Sequence, residues 1–311
     1  MLNYIIRRLI GFVFTLLLLS IFTFTLTRIV PGSPWGNKAQ IPLSEEQEKV
    51  FRARYGMDKP VTEQYLIWLR NAMMFDFGRP FTAPELSVMQ LIFKALPYSA
   101  LVGGLAAVFA VIFGLILGAV AAAKQNTMID AAITSYSVFI GTVPSFVMAF
   151  LFVFIFAQKL RWLPSGGWGT PQQLIMPVLA YALPGTGGIA RWTRQCLVEA
   201  MSSDYVRTAY AKGLRQAAVV VVHVLRNASI PLITSFLPIF PSMMTGSIFI
   251  EAVFGLPGLG KYFAQSASNR DYPLVLGITM FWAVLIMTTY FVTDVLYGVI
   301  DPRIRVTEEK S

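Results

Sequence analysis

Residues 101–123 read LVGGLAAVFAVIFGLILGAVAAA, without a single charged or strongly polar side chain. It belongs to an uncharged run over residues 95–123. Roughly 20 apolar residues in a helix cross the ~30 Å hydrocarbon layer of a bilayer. Five further uncharged runs occupy residues 9–27, 131–158, 162–190, 227–250 and 272–293. The chain is 56% hydrophobic and 13% charged, more apolar surface than one soluble core of 311 residues needs to bury. The expected fold class is therefore an all-α integral membrane protein with six transmembrane helices.

The first run follows Arg7 and Arg8 but is too long for the apolar core of a signal peptide. It ends in Arg28, Pro31 and Gly32 without a small-residue cleavage pattern, so it is expected to remain as the first helix. A single cysteine, Cys196, cannot build a disulfide framework or multi-cysteine metal site, and the lone His223 has no neighbouring ligand residues. No metal and no cofactor are expected. The net charge of +9 is spread between the spans and forms no aromatic-studded basic face, which argues for lipid headgroups and against nucleic acid. Arg191, Arg194, Arg207, Lys212, Arg215 and Arg226 crowd one interval. Lys159 and Arg161, or Lys261 and Arg270, are the cations of the loops to either side. The positive-inside rule then puts the 191–226 interval and both termini in the cytoplasm.

This topology divides the chain into a first helix (1–30), an external cap (31–94), a five-helix core (95–300) containing a polar loop at 199–231, and a cytoplasmic tail (301–311). In the cap, Ser44 and Gln47 form a capping-box pattern, Gly56 ends that helix, and Pro60 introduces an amphipathic stretch with Tyr65, Trp68 and Leu69. The cap reads equally as ornament or as a gating or docking element. Pro144, Pro177, Pro184, Pro238 and Pro241 are expected to kink helices around a pathway, although Gly and Pro are common in membrane helices generally. Asp294 is an acid inside the last run, where a proton relay is one reading; it lies near enough to the polar tail for an interhelical hydrogen bond or a snorkelling position instead.

The polar loop holds Glu199-Ala-Met-Ser-Ser-Asp-Tyr-Val-Arg-Thr-Ala-Tyr-Ala-Lys-Gly-Leu214. Ser203 or Asp204 can cap a short surface helix and Gly213 can end it in the left-handed conformation. Small residues Ala209 and Ala211 beside Tyr205, Arg207, Thr208, Tyr210 and Lys212 suit insertion into a groove of another protein. A helix resting on lipid wants a larger apolar face.

These residues resemble the EAA loop of bacterial ABC importer permeases, in which a short coupling helix fits a cleft on the ATPase subunit. The Glu-Ala-Ala position falls on Arg207-Thr208-Ala209 and the motif glycine on Gly213; Arg207 replaces the acid, and the following proline comes late, at Pro231. Tyr205-Val-Arg-Thr-Ala, Ala-Lys-Gly-Leu and His223-Val-Leu-Arg-Asn-Ala look like the peptide-permease variant. The resemblance extends over Arg7-Arg8-Leu9, Val30-Pro-Gly-Ser-Pro34, Asp76-Phe-Gly78, Lys124-Gln-Asn-Thr127, Val143-Pro-Ser-Phe146, Trp162-Leu-Pro-Ser-Gly-Gly-Trp168, Ile250-Glu-Ala-Val-Phe-Gly-Leu-Pro-Gly-Leu-Gly260, Asn269-Arg-Asp-Tyr272 and Val299-Ile-Asp-Pro-Arg303. It is similar to the oligopeptide, dipeptide and nickel permeases, above all the first membrane subunit of oligopeptide systems.

The resemblance implies a multi-pass protein of the bacterial inner membrane, a transport subunit and not an enzyme. It implies as partners a second permease subunit in a heterodimer, two ATPase subunits, an external peptide-binding protein and a peptide substrate. It places ATPase coupling at Asp204, Tyr205, Arg207, Thr208, Ala209, Lys212 and Gly213, and a tight outer turn at Gly255, Pro257, Gly258 and Gly260. The segment Gly255 to Lys261 matches the glycine and lysine spacing of a phosphate-binding loop. Tyr262 stands where that loop needs Ser or Thr, so the match is refused. Two other classes remain for comparison. An ion-driven carrier or channel would carry paired intramembrane charges or matched broken helices, and a membrane enzyme would need a nucleophile and base at spanning depth.

Overall fold

The computed structural model describes residues 2–29, 46, 49–50, 56–215 and 218–300, and every regular element among them is helical. In chain order these are α1 (Leu2–Ile29), α2 (Val61–Met73), α3 (Val88–Ala123), α4 (Met128–Thr142), and α5 (Ser145–Phe152), which continues as a π-helical turn over Val153–Lys159. Then follow α6 (Gln172–Ser202), α7 (Asp204–Ala211), a π-helical segment (Val219–Leu225) leading into α8 (Arg226–Phe236), α9 (Ile239–Met244), α10 (Ile248–Phe254), α11 (Leu259–Asn269) and α12 (Tyr272–Ile300). Among the described residues, four helices are long and apolar enough to cross a membrane: α1, α3, α6 and α12. Two bent pairs, α4 with α5 and its π turn, and Val222–Met244 with α10, raise the number to six if each is one span.

Several boundaries differ from the sequence expectation, among them the 227–250 run, which starts earlier and bends by 45° before α10. The third run bends by 93° between α4 and α5. Pro144 crowds the helical conformation of the residue before it, and Val143 is extended at φ −76°, ψ 120°. The fourth span is shifted to 172–202, because Gly167 and Gly169, both at positive φ, turn the chain through the segment that precedes it. The helix expected from residue 95 begins at Val88. Ser87 and Gln90 form a reciprocal capping box there, the Gln90 amide N–H donating to Ser87 Oγ and the Ser87 N–H to Gln90 Oε1. The expected box at Ser44 and Gln47 lies outside the described residues, as do Val30-Pro-Gly-Ser-Pro34 and the tail. Asp294 lies on α12, but its side chain is also outside what is described.

The chain divides into two compact units, residues 1–97 with 257–311, and residues 98–256. In the first, Phe77, Val88, Leu91, Ile92, Leu259, Leu274 and Ile278 form the core, with Leu16 and Trp68 packed against it. The α2 helix follows Pro60 as expected and docks on α1: Ser20 Oγ and Tyr65 Oη are 2.8 Å apart, and Phe24 contacts the rings of Tyr65 and Trp68. Buried Asp271 accepts from the Thr82 N–H and hydroxyl at 2.9 and 2.7 Å and caps the start of α12 through the Leu274 N–H.

In the second unit, helix contacts rest on small residues. Lipid tails are as apolar as leucine, so membrane helices associate mainly through close packing. Gly114 and Gly118, one turn apart on α3, face α6. A Cβ on Gly118 would stand 2.5 Å from the Ala190 carbonyl oxygen and from Thr193 Cβ, and one on Gly114 would stand 2.5 Å from Ile189 Cγ2. Large side chains such as Phe113, Ile116, Phe139 and Phe150 stay exposed, which suits a surface covered by lipid.

Candidate coupling site

The polar loop folds as α7, and its two faces differ. Val206 and Ala209, three residues apart and hence on one stripe of a helix, are 3% and 4% exposed. They join one apolar cluster with Ala106, Ala110 and Ala122 of α3, Ala182, Ile189 and Leu197 of α6, Val219 and Val224 of the π segment, and Leu232 and Phe236 of α8. Ala209 was expected on the outward face with Ala211; it instead turns inward as an anchor, and only Ala211 is exposed.

The outward face carries Asp204, Tyr205, Arg207, Thr208, Tyr210 and Lys212, all exposed. Asp204 Oδ1 and Arg207 Nη1 are 3.6 Å apart with side chains 97% and 79% exposed, a contact worth little in water that leaves both charges available. Two tyrosines, Tyr205 and Tyr210, stand 39% and 46% exposed on a helix of eight residues. Tyrosines of this kind are favoured anchors of protein interfaces.

Both ends of α7 are defined by backbone geometry. Gly213 lies at φ +77°, its N–H donates to the Tyr210 carbonyl at 2.9 Å, and the Leu214 N–H donates to the Ala209 carbonyl at 3.4 Å, a Schellman closure. At the other end Ser203 holds the N-cap position at φ −73°, ψ 152°, yet it makes no side-chain cap. Its hydroxyl donates back to the Glu199 carbonyl at 3.1 Å, so the expected Ser203 cap is not formed. Asp204 sits in the first turn, where a negative charge suits the helix dipole.

The sequence reading did not single out the polar bracket that ties α4 to α6. Asp130 is 5% exposed and accepts a forked pair from Arg194, Nε at 2.6 Å and Nη2 at 2.7 Å, with the Asn126 N–H adding a third bond at 2.9 Å. Arg191 Nη1 donates to the Ser137 carbonyl at 2.6 Å. A second buried acid, Glu251 on α10, accepts from the Ser99 hydroxyl at 2.6 Å. Asp130 and Arg194 lie just beyond the ends of uncharged runs, where a search for charges inside the runs passes over them. Their separation by 64 residues gives no local signal.

The residues of the expected outer turn link α10 to α11. Gly255 ends α10 at φ +67°, with the Leu256 N–H donating to the Glu251 carbonyl at 2.9 Å; Pro257 follows, Gly258 is the N-cap of α11, and Gly260 is buried in its first turn. The element before this turn is a helix, whereas a phosphate-binding loop follows a strand. An open groove of about 430 Å³ is lined by Gly185, Gly188, Ile189 and Trp192 of α6, Ser235 and Phe236 of α8, and Ile239.

Residues 114–306 match the family model of the binding-protein-dependent transport system inner membrane component, and residues 1–97 match the model of its N-terminal part. A dipeptide transport system permease protein of Bacillus subtilis is 38% identical over 98% of both chains. An oligopeptide transport system permease protein of Haemophilus influenzae is 41% identical over 98% of this chain and 100% of its own length. Among solved structures, an amino acid ABC transporter aligns with a TM-score of 0.55 over 67% of this chain and 92% of its own, at 18% identity. A methionine ABC transporter aligns with a TM-score of 0.53 over 68% and 97%, at 17% identity. These two likenesses concern the fold.

Proposed function

The chain belongs to the inner membrane components of binding-protein-dependent transport systems, and from that premise we propose that it is the membrane subunit of a peptide importer that takes its energy through α7. Its relatives are named peptide permeases at 38% and 41% identity over nearly their whole length, which supports peptides as the cargo and does not favour an ion-driven carrier. Permeases of this family work with ATPase subunits and a binding protein. The hydrolysis step then belongs to the partner, and this chain supplies the path.

The observation that carries the reading is the two-sidedness of α7: Val206 and Ala209 are buried in the cluster that holds α3, α6 and α8, while Asp204, Tyr205, Arg207, Thr208 and Lys212 are exposed. A force applied to the outer face reaches the membrane helices through packed side chains, which resist compression. The outer face would lie against the ATPase on the cytoplasmic side, with both termini on that side and residues 31–94 outside. A second permease subunit would complete a heterodimer, and the groove between α6 and α8 would form this chain's half of the path. Alternating access needs two arrangements of the bundle, and a ligand shifts them only by its differential affinity.

Cysteine cross-linking tests the docking. In a Cys196→Ser background, Tyr205→Cys and Lys212→Cys should cross-link to the ATPase subunit in the assembled complex, whereas Met128→Cys, also exposed but outside α7, should not. Equal cross-linking from all three positions would sink the assignment.

A further inference from the structure

Within the first unit a cavity of about 180 Å³ opens where α1 ends, α2 passes over it and α12 begins. Its lining includes Arg28, Gln64, Trp68, Asn71, Asp76 and Tyr272. Three buried polar atoms of this lining have no hydrogen-bond partner among the described residues: the donors Arg28 Nε and Trp68 Nε1, and the acceptor Gln64 Oε1. Buried polar groups in folded proteins are almost always satisfied, and three in one cavity point to a ligand. The space far exceeds the ~10–15 Å³ that one water requires.

We propose that this cavity binds a phospholipid headgroup of the phosphoethanolamine kind. Phosphate oxygens would accept from Arg28 Nε and Trp68 Nε1, and the terminal ammonium would donate to Gln64 Oε1 and face Asp76. Gln64 is held for this purpose, because its amide nitrogen donates to the Met57 and Lys59 carbonyls at 3.3 and 2.7 Å and leaves the oxygen free. Asp76 is positioned by the Gly78 N–H, which donates to its Oδ1 at 3.0 Å. The Arg28 guanidinium lies 4.9 Å from the Phe24 ring centroid and 5.4 Å from that of Tyr272, so two aromatic rings flank it before any anion arrives. The depth agrees. Arg28 occupies the last turn of the first span and Tyr272 opens the last, and Tyr and Trp gather at headgroup level.

Native mass spectrometry of the assembled complex, extracted in mild detergent, reads the outcome. Wild type should retain a phosphatidylethanolamine on this chain. Arg28→Gln should lower that occupancy about tenfold, and Trp68→Phe, which keeps the ring and removes the N–H, about threefold. If Arg28→Gln does not assemble, Trp68→Phe carries the test. Delipidated complex is then titrated with short-chain phosphatidylethanolamine and with inorganic phosphate. Binding of the lipid and not of phosphate supports the site; equal binding of phosphate, or unchanged lipid retention in both variants, overturns it. Unchanged retention with weakened docking of the binding protein would assign the cavity to an acidic partner segment and likewise overturn it.

Discussion

Gly213 shows how one residue limits what the surface helix can be. At φ +77° a side chain other than glycine costs about 1–2 kcal/mol, and because a Cβ there would meet nothing within 4 Å the cost is conformational and not steric. Gly213→Ala should loosen the end of α7, seen as faster amide hydrogen exchange over Tyr210 to Leu214, and Gly213→Asn should loosen it less, since asparagine tolerates this conformation. At Asp130 the partner decides the outcome. Asp130→Asn leaves the Arg194 guanidinium without its counter-charge, while Asp130→Asn combined with Arg194→Gln removes both charges. The single variant should lower the Tm of the assembled complex by several degrees and the double variant by less. Equal losses would mean that the unpaired Arg194 charge costs nothing once Asp130 is neutral.

At the scale of elements, the contact of α3 with α6 depends on Gly114 and Gly118. Gly118→Leu inserts a side chain where the Ala190 carbonyl and Thr193 already stand, and overpacking of this kind costs about 1–3 kcal/mol. The variant should reach the membrane at reduced yield and co-purify poorly with its partners; normal yield and transport would show that the two helices have room to separate. Element boundaries were only partly legible in the sequence. Apolar content locates a span, but it does not say which way the chain points. Residues 131–158 therefore read as one helix, although Pro144 turns it by 93°. Arg191, Arg194 and Glu199 made the end of α6 look like loop, and their hydrogen-bond partners explain why it stays helical: Arg191 and Arg194 discharge their polarity onto α4. The Ser87 and Gln90 box has the same spacing as the Ser44 and Gln47 pattern and was there to be read. By contrast, the bond between Asp271 and Thr82 spans 189 residues and has no local trace. Of the α7 site, the glycine stop followed from residue type, whereas the inward turn of Ala209 depends on where Val206 packs.

At the scale of the whole molecule the chain is a bundle of membrane helices, and the proposed function puts its energy source in a partner subunit. Family membership gives the kind of partner, and the proposed point of contact rests on the asymmetric burial of α7. The most direct measurement is ATP-dependent uptake of labelled peptide into proteoliposomes holding the reconstituted complex, wild type against Gly213→Val. The expected result is uptake reduced at least about tenfold, with assembly and basal ATP hydrolysis retained, because 1.4 kcal/mol or more of coupling is lost when the helix end is strained. Unchanged uptake in Gly213→Val, or wild-type uptake that proceeds without the ATPase subunits, would contradict the account.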